Sequence, residues 1–333
     1  MKPPFTRRRV STLRLCVQLF FFAFLMYAGY AAGALGAWNE YESYEASDPP
    51  SIKTVFKRPT ATNIFVPATA CVFQRKGVCK ACSLYFLTDA ITWLRPLEVI
   101  LPGLLLLLLF MLLCGRMWCG WVCPLGFLSD LLTRLRTFLG ITQVRLSKGW
   151  REGLIWIKYL LLLATLVLAA VAAFPSMADQ RLSLVDPFCS ICPQRIFAAF
   201  FSFDQVCWLN TNDGITLTLT IIGTLAFAVF FIGLTVRRFW CRVCPIGAVT
   251  VLFNRTGLVM LKKDGRKCTR CGACVRSCPL DVQRVFEGRG RNVVTSYECH
   301  LCLRCVEACP EEGCLEFRWL GKRITGSKSG DGG

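Results

Sequence analysis

Four stretches of the chain carry no charged side chain, and basic or polar segments separate them. They cover residues 15–38, 99–115, 159–177 and 214–236, or 24, 17, 19 and 23 positions. A helix needs about 20 apolar residues to cross roughly 30 Å of hydrocarbon, so the pattern predicts four membrane spans. The first follows Lys2, Arg7, Arg8, Arg9 and Arg14. A cleaved signal peptide would share that basic start and find a cleavable Ala-Gly-Ala at 32–34. The apolar stretch is longer than the roughly 7–15 residues of a signal core, which favours a retained anchor. Residues 39–70 read as a polar loop with Tyr41, Tyr44, Pro49 and Pro50 and no chemistry. Lys158, beside the third stretch, is expected to snorkel out of the bilayer.

Composition agrees with a membrane chain that has one basic face. Of 333 residues 54% are hydrophobic, yet 39 are Lys or Arg against 21 Asp or Glu. Four spans put both termini on one side. The N-terminus, segment 115–152 and the tail from Arg237 hold 29 basic residues, and the opposite loops, 39–95 and 178–213, hold nine. Basic residues stay inside, so both termini are expected in the cytoplasm of an inner-membrane protein. The positive charge is thereby explained without nucleic acid. A single histidine argues against haem held between two axial His ligands, and no C-x-x-C-H is present for covalent haem. Neither a P-loop nor a G-x-G-x-x-G after a strand occurs.

Twenty-one cysteines change the picture most. Cys268, Cys271, Cys274 and Cys278-Pro279 are followed by Cys299, Cys302, Cys305 and Cys309-Pro310. Both runs read C-x2-C-x2-C-x3-C-P, the spacing of two-cluster ferredoxins, in which the fourth cysteine of each run serves the other cluster. Cross-ligation assigns Cys268, Cys271, Cys274 and Cys309 to one [4Fe-4S] cluster. Cys299, Cys302, Cys305 and Cys278 take the other. Four-cysteine zinc sites are the competing reading, but zinc has no use for the third close cysteine or the following Pro. His300 reads as a solvent-facing spacer.

A second pattern lies beside the spans. Trp118-Cys119-Gly120-Trp121-Val122-Cys123-Pro124-Leu125-Gly126 follows the second, and Trp240-Cys241-Arg242-Val243-Cys244-Pro245-Ile246-Gly247 follows the fourth. Upstream of the same spans, on the expected outer side, stand Cys79 with Cys82 and Cys189 with Cys192. The unit of outer pair, span and inner pair thus occurs twice in the same direction. An axis along the membrane normal would relate the copies. It would bring Cys119 and Cys123 to Cys241 and Cys244 near the cytoplasmic face, and Cys79 and Cys82 to Cys189 and Cys192 near the outer face. Each meeting supplies four thiolates, for one or two further [4Fe-4S] clusters. Packing residues and, outside, disulfides are the alternatives. Short helices after the pairs would enclose the sites and aim their N-terminal dipoles at them. Of the remaining cysteines, Cys16 and Cys114 read as packed or lipid-facing, and Cys71 and Cys207 as a candidate outer pair.

The motifs WCGWVCPLG and WCRVCPIG resemble the membrane polyferredoxin family that includes NapH, NosR and CcoG-like proteins, over roughly residues 95–310. Cys119, Cys123 and Pro124 match that family's C-x3-C-P motif. Cys241 and Cys244 are one residue closer, and the outer pairs are not part of the pattern. The resemblance implies quinol oxidation, electron delivery to a redox partner, or assistance in maturing a metalloenzyme.

The expected fold is therefore mainly α. A four-helix transmembrane domain with an internal parallel repeat and re-entrant helices carries a small α+β two-cluster ferredoxin domain. Its parts are an anchor helix at 1–38, an outer loop at 39–78, the duplicated cysteine-pair domain at 79–260, the ferredoxin domain at 261–320 and a flexible tail at 321–333. The expected function is electron transfer across or into the membrane, as a quinol dehydrogenase or oxidoreductase subunit. It would link a soluble partner, such as an acidic ferredoxin or flavodoxin steered by the basic tail, to a quinone pool or an outer acceptor. Partner oxidoreductase subunits are a further expectation. A thiol relay and a redox-sensing assembly or regulatory factor are the rivals. Asp89, Glu98 and Trp93 near the outer edge read as a quinone site or as ordinary interface residues.

Overall fold

The computed structural model describes residues 9–34, 38–43, 54–59, 62–67, 79–174, 192–202, 214–256 and 258–327. Helix α1 (Arg9–Ala34) begins six residues before the uncharged stretch and carries Arg14 inside it. Where a polar loop was expected, the described residues form strands. β1 (Trp38–Ser43) pairs antiparallel with β2 (Thr54–Pro59), setting Tyr41 opposite Phe56. β3 (Thr62–Val66) pairs parallel with β4 (Cys79–Cys82). Alternating β-branched and aromatic residues, such as Thr54-Val55-Phe56, favour a pleated ribbon despite the polar composition.

β4 runs straight into α2 (Ser83–Thr92), and α3 (Leu97–Cys114) follows. Helix α3 stops at Gly115, whose φ of +51° is one that side chains other than glycine rarely adopt. The short α4 (Met117–Trp121) leads to α5 (Pro124–Phe138), and α6 (Lys148–Ala172) forms the next long helix. Then come α7 (Pro193–Ser202) and α8 (Gly214–Phe230), which tightens into a 3-10 turn over Phe231–Leu234. Two short helices, α9 (Phe239–Val243) and α10 (Pro245–Val251), repeat the arrangement of α4 and α5, and α11 (Phe253–Thr256) closes the set.

Three described helices are long and apolar enough to cross a membrane, in segments Val10–Tyr27, Leu97–Cys114 and Lys148–Ala172. The fourth expected span is the shorter α8. Its 17 residues rise about 26 Å, and the 3-10 turn adds about 8 Å. Lys158 does not snorkel. It is fully buried within α6 and paired with Glu298 at 2.5 Å.

The C-terminal unit is a four-stranded antiparallel sheet in the order β6-β5-β7-β8, formed by β5 (Val259–Asp264), β6 (Arg291–Val293), β7 (Leu315–Trp319) and β8 (Lys322–Gly326). It extends through Gly326, so part of the expected flexible tail is an edge strand. Val259 and Leu261 alternate inward against Leu315 and Phe317, as a one-sided strand pattern requires. Between the strands lie α12 (Ala273–Ser277), α13 (Arg284–Glu287) and α14 (Arg304–Ala308). Helices α12 and α14 pack on each other, and α1 packs on α4, α5 and α14. The sheet unit is thereby held against the helical one.

Candidate metal centres

The Cys-Pro dipeptides fix the local geometry of the inner motifs. Cys123 precedes α5 with φ/ψ of −62°/121°, and Cys244 precedes α10 with −64°/122°. A residue before proline is pushed to extended backbone, and proline suits the first helical position because its missing N–H would be unpaired there anyway. Each second cysteine is thus an N-cap. Cys119, Cys123, Cys241 and Cys244, with Arg116, Trp240, Gly247 and His300, line one cavity holding about 340 Å³ of space that no protein atom fills. Residues more than a hundred positions apart supply its two halves.

Two arginines lock these halves together. Arg116 Nη2 donates to the Cys241 carbonyl at 3.4 Å, and Arg238 Nη1 donates to the Cys119 carbonyl at 3.2 Å. Each arginine therefore grips the first cysteine of the other motif. Both are fully buried, and each has its own carboxylate. Arg238 pairs with Asp130 on α5 at 2.7 Å, and Arg116 with Glu298 at 2.7 Å. Burial alone would raise the Asp130 carboxyl, but Arg238 and Arg304 outweigh it and hold the group well below the usual carboxylate range. Glycine makes room beside them, since a Cβ on Gly247 would stand 2.9 Å from Arg116 Nη2 and one on Gly126 2.6 Å from the Cys119 carbonyl.

The ferredoxin-like unit repeats one backbone device. Arg270 and Gly272 have φ of +54° and +70°, and the equivalent Leu301 and Leu303 have +50° and +59°. This left-handed alternation turns peptide N–H groups inward, as in anion-binding nests. Leu301 N donates to Cys299 Sγ at 3.4 Å, and Val282 N to Cys278 Sγ at 3.4 Å. One cavity is lined by Cys278, Cys299, Cys302 and Cys305, with Cys274 at its edge. Another is lined by Cys268, Cys271, Cys274 and Cys309, with Cys314 beside them. Cys314 is buried, and no spacing rule in the sequence singles it out.

His300 is not a solvent-facing spacer. It is buried and lines both the inner-motif cavity and the Cys299 cavity. Arg238 Nη1 donates to His300 Nδ1 at 2.9 Å. An arginine can only donate, so Nδ1 accepts and Nε2 carries the proton. Burial, with Arg116 and Arg238 nearby, pushes the imidazole well below its ordinary value, so the ring is neutral. Its buried Nε2 has no partner among the described residues.

The donor set fits iron-sulfur clusters. Among the described residues, no three His, Cys, Asp or Glu side chains stand close enough to share a single metal ion. Burial pushes Cys241 and Cys299 up to about 12, so the protein alone does not ionise them; a bound metal does. Among the described residues, Arg116, Lys158, Arg238 and Arg304 near the inner cavity share two carboxylates, Asp130 and Glu298, and Arg14 donates to the Cys302 carbonyl. A cluster held by four thiolates is anionic. The surplus of cations and the orphaned His300 donor are complementary to it.

The upstream pairs are described in part. Cys82 and Cys192 are buried and belong to the same apolar core as Cys123 and Cys244. Cys82 is the N-cap of α2, whose far end lies at the far end of α6, with Thr92 Oγ1 donating to the Ala169 carbonyl at 3.3 Å. The Cys79 side chain and Cys71, Cys189 and Cys207 lie outside the described residues.

A sequence signal for the arginines was present. Arg116-x-Trp118-Cys119 and Arg238-x-Trp240-Cys241 are duplicated along with the cysteines. Asp130, Glu298 and His300 have no such internal echo.

Comparison with known proteins agrees. A 4Fe-4S binding domain model matches residues 97–142 and 217–267, one inner motif in each, and a 4Fe-4S dicluster domain model matches residues 260–310. No solved structure matches the chain. The methylamine utilization ferredoxin-type protein MauN of Methylorubrum extorquens is 32% identical over 245 residues, covering 72% of this chain and 74% of its own. The ferredoxin-type protein NapH of Haemophilus influenzae is 28% identical, covering 65% of this chain and 68% of its own. The regulatory protein NosR of Pseudomonas aeruginosa is 30% identical over 58% of this chain but only 24% of its own length. With its apolar helices and thiol-lined cavities, the chain belongs to the NapH/NosR-type family of ferredoxin-like membrane proteins, iron-sulfur proteins of electron transport.

Proposed function

We propose that the protein is a membrane-embedded electron conduit with at least three [4Fe-4S] sites in a row. The observation that carries this reading is the sharing of walls between cavities. Cys274 borders both cavities of the ferredoxin unit, and His300 borders both the second of these and the inner-motif cavity. Clusters bound there would supply one-electron carriers. Cys268, Cys271, Cys274 and Cys309 hold the first, Cys278, Cys299, Cys302 and Cys305 the second, and Cys119, Cys123, Cys241 and Cys244 the third. The chain's own part is to fix the distances. Trp121 Nε1 donates to the Leu301 carbonyl at 3.1 Å, Arg14 to the Cys302 carbonyl at 2.8 Å, and Asn254 to the Cys299 carbonyl at 2.8 Å. These bonds tie the second cysteine run directly to the membrane helices.

Cys79, Cys82, Cys189 and Cys192 form a fourth site, and the burial of Cys82 and Cys192 in the core of the duplicated motifs supports it. Both termini and the ferredoxin unit face the cytoplasm of an inner-membrane protein, following the basic residues. The soluble end exchanges electrons with an acidic redox protein or an oxidoreductase subunit, and the membrane end with a quinone or an outer acceptor. Sealed vesicles test the reading, with a donor on the ferredoxin side and an impermeant acceptor enclosed. Reduction of the acceptor is expected in intact vesicles and is lost in Cys82→Ser and Cys192→Ser. Transfer that persists in both variants, with the four outer cysteines recovered as disulfides, would sink the transmembrane route.

A further inference from the structure

Helix α5 carries, beyond the inner motif, a feature that electron transfer does not use. Arg136 is only 6% exposed, yet its Nε and Nη1 have no hydrogen-bond partner among the described residues. A buried guanidinium without a counter-charge is costly. Other cations crowd it rather than relieve it. Arg237 Nη1 and Arg145 Nη2 converge on a single acceptor, the Arg276 carbonyl, at 3.4 and 3.5 Å. Burial, and then the charges of Arg136 and Arg304, pull Arg237 below the ordinary arginine range. The neighbouring carboxylates are already engaged, Asp281 by Arg242 at 2.8 Å and Asp130 by Arg238 and Arg304 at 2.7 and 3.0 Å. The buried Nε of Arg237 is likewise unpartnered among the described residues.

The exposed flank of the same helix says what kind of anion comes here. Leu131, Leu135 and Phe138 follow one another at helical spacing and are 49%, 45% and 87% exposed. Leu139, Ile141 and Val144 continue the apolar surface into the next segment. An exposed apolar stripe beside a basic cluster, at the end of a span, lies in the lipid interface. Basic pockets between helices at that depth receive phospholipid headgroups.

We propose that Arg136, Arg145 and Arg237 form a binding site for the phosphodiester of an anionic phospholipid such as phosphatidylglycerol, whose acyl chains cover Leu131, Leu135 and Phe138. The lipid supplies the counter-charge that the protein lacks, and it seats α5, and hence Cys123 and Asp130, against the bilayer. The site needs no iron-sulfur cluster, so its failure and that of the electron-conduit reading are separable.

Delipidated protein in detergent tests this by native mass spectrometry and thermal melting, with phosphatidylglycerol, phosphatidylcholine or inorganic phosphate added in turn. Phosphatidylglycerol is expected to remain bound and raise the melting temperature, and the other two are not. Arg136→Gln and Arg237→Gln should each weaken it about five-fold, from about 1 kcal/mol per arginine at a membrane surface. Arg145→Gln, at an exposed position, gives the same readout if Arg136→Gln does not fold, and Lys322→Gln at an exposed position of β8 serves as the unaffected control. Equal retention of phosphatidylcholine, equal stabilisation by inorganic phosphate, or undiminished binding by the Arg145 and Arg237 variants would overturn the proposal.

Discussion

The cavity between the two Cys-Pro motifs presents four thiols and the cavity at the Cys268 end of the ferredoxin unit four with Cys314 beside them, but their surroundings differ. Buried side-chain cations surround the first, with Arg116 and Arg238 clamped between its halves. The second relies on left-handed backbone turns at Arg270 and Gly272, a single buried Lys263, and water at the exposed Cys271. An anionic centre can be stabilised by oriented N–H groups and solvent where water reaches it, whereas inside a membrane domain the charge must come from the protein. Potential depends on such charges, on hydrogen bonds to sulfur and on exposure. Similar thiol sets are thereby tuned apart.

The largest effect separates the two sites outright. Cys119→Ser and Cys241→Ser should each remove the same four or so irons of one cluster, and the double variant should lose no more, because the ligands act as one unit. Cys271→Ser should leave that centre's paramagnetic signal intact and remove another. Additive losses from Cys119→Ser and Cys241→Ser would mean that the halves do not share a centre.

Removing a cation sharpens the contrast next. Arg238→Met leaves Asp130 with Arg304 and the Gln18 amide and should cost about 3 kcal/mol in denaturant unfolding, part of which Asp130→Leu restores. Lys263→Met, whose Nζ donates to the Phe286 carbonyl at 3.0 Å and also reaches the Cys268 thiol, should cost about 1–2 kcal/mol. Equal costs would show that the inner cations are not specially committed.

A smaller change tests how closely the units are joined. A Cβ on Gly120 would stand 2.7 Å from the His300 carbonyl, so Gly120→Ala should cost about 1–3 kcal/mol and weaken the magnetic coupling between the two centres that flank His300. Gly153→Ala in α6, with nothing within 4 Å, should instead stabilise by about 0.5–1 kcal/mol. The smallest effect is kinetic. A hydrophilic iron chelator should strip the Cys271 centre first, and faster loss from the Cys119 centre would reverse the order of exposure drawn above.

Much of this was legible from local pattern. The ferredoxin runs were readable because their cysteine spacing is set within about ten residues of backbone, and three of the four expected spans because apolar length is a local quantity. The strands described within residues 39–67 are not legible in the sequence because a polar strand looks like a loop until its partner is known, as Tyr41 opposite Phe56 illustrates. Lys158 looked like a snorkelling flank because its partner, Glu298, lies 140 residues away. His300 was dismissed for a similar reason, since nothing near it in the chain indicates Arg238.

By itself, then, the sequence determined the ferredoxin-type cysteine spacing, the duplicated R-x-W-C motif and the apolar lengths of the long helices, all of which depend on neighbours along the chain. Tertiary structure alone decided which thiols face one cavity, that Arg116 and Arg238 each reach across to the other motif, and that His300 stands between two thiol-lined cavities. Those features arise where a buried charge or donor must find its complement in space, and the complement can come from any part of the chain.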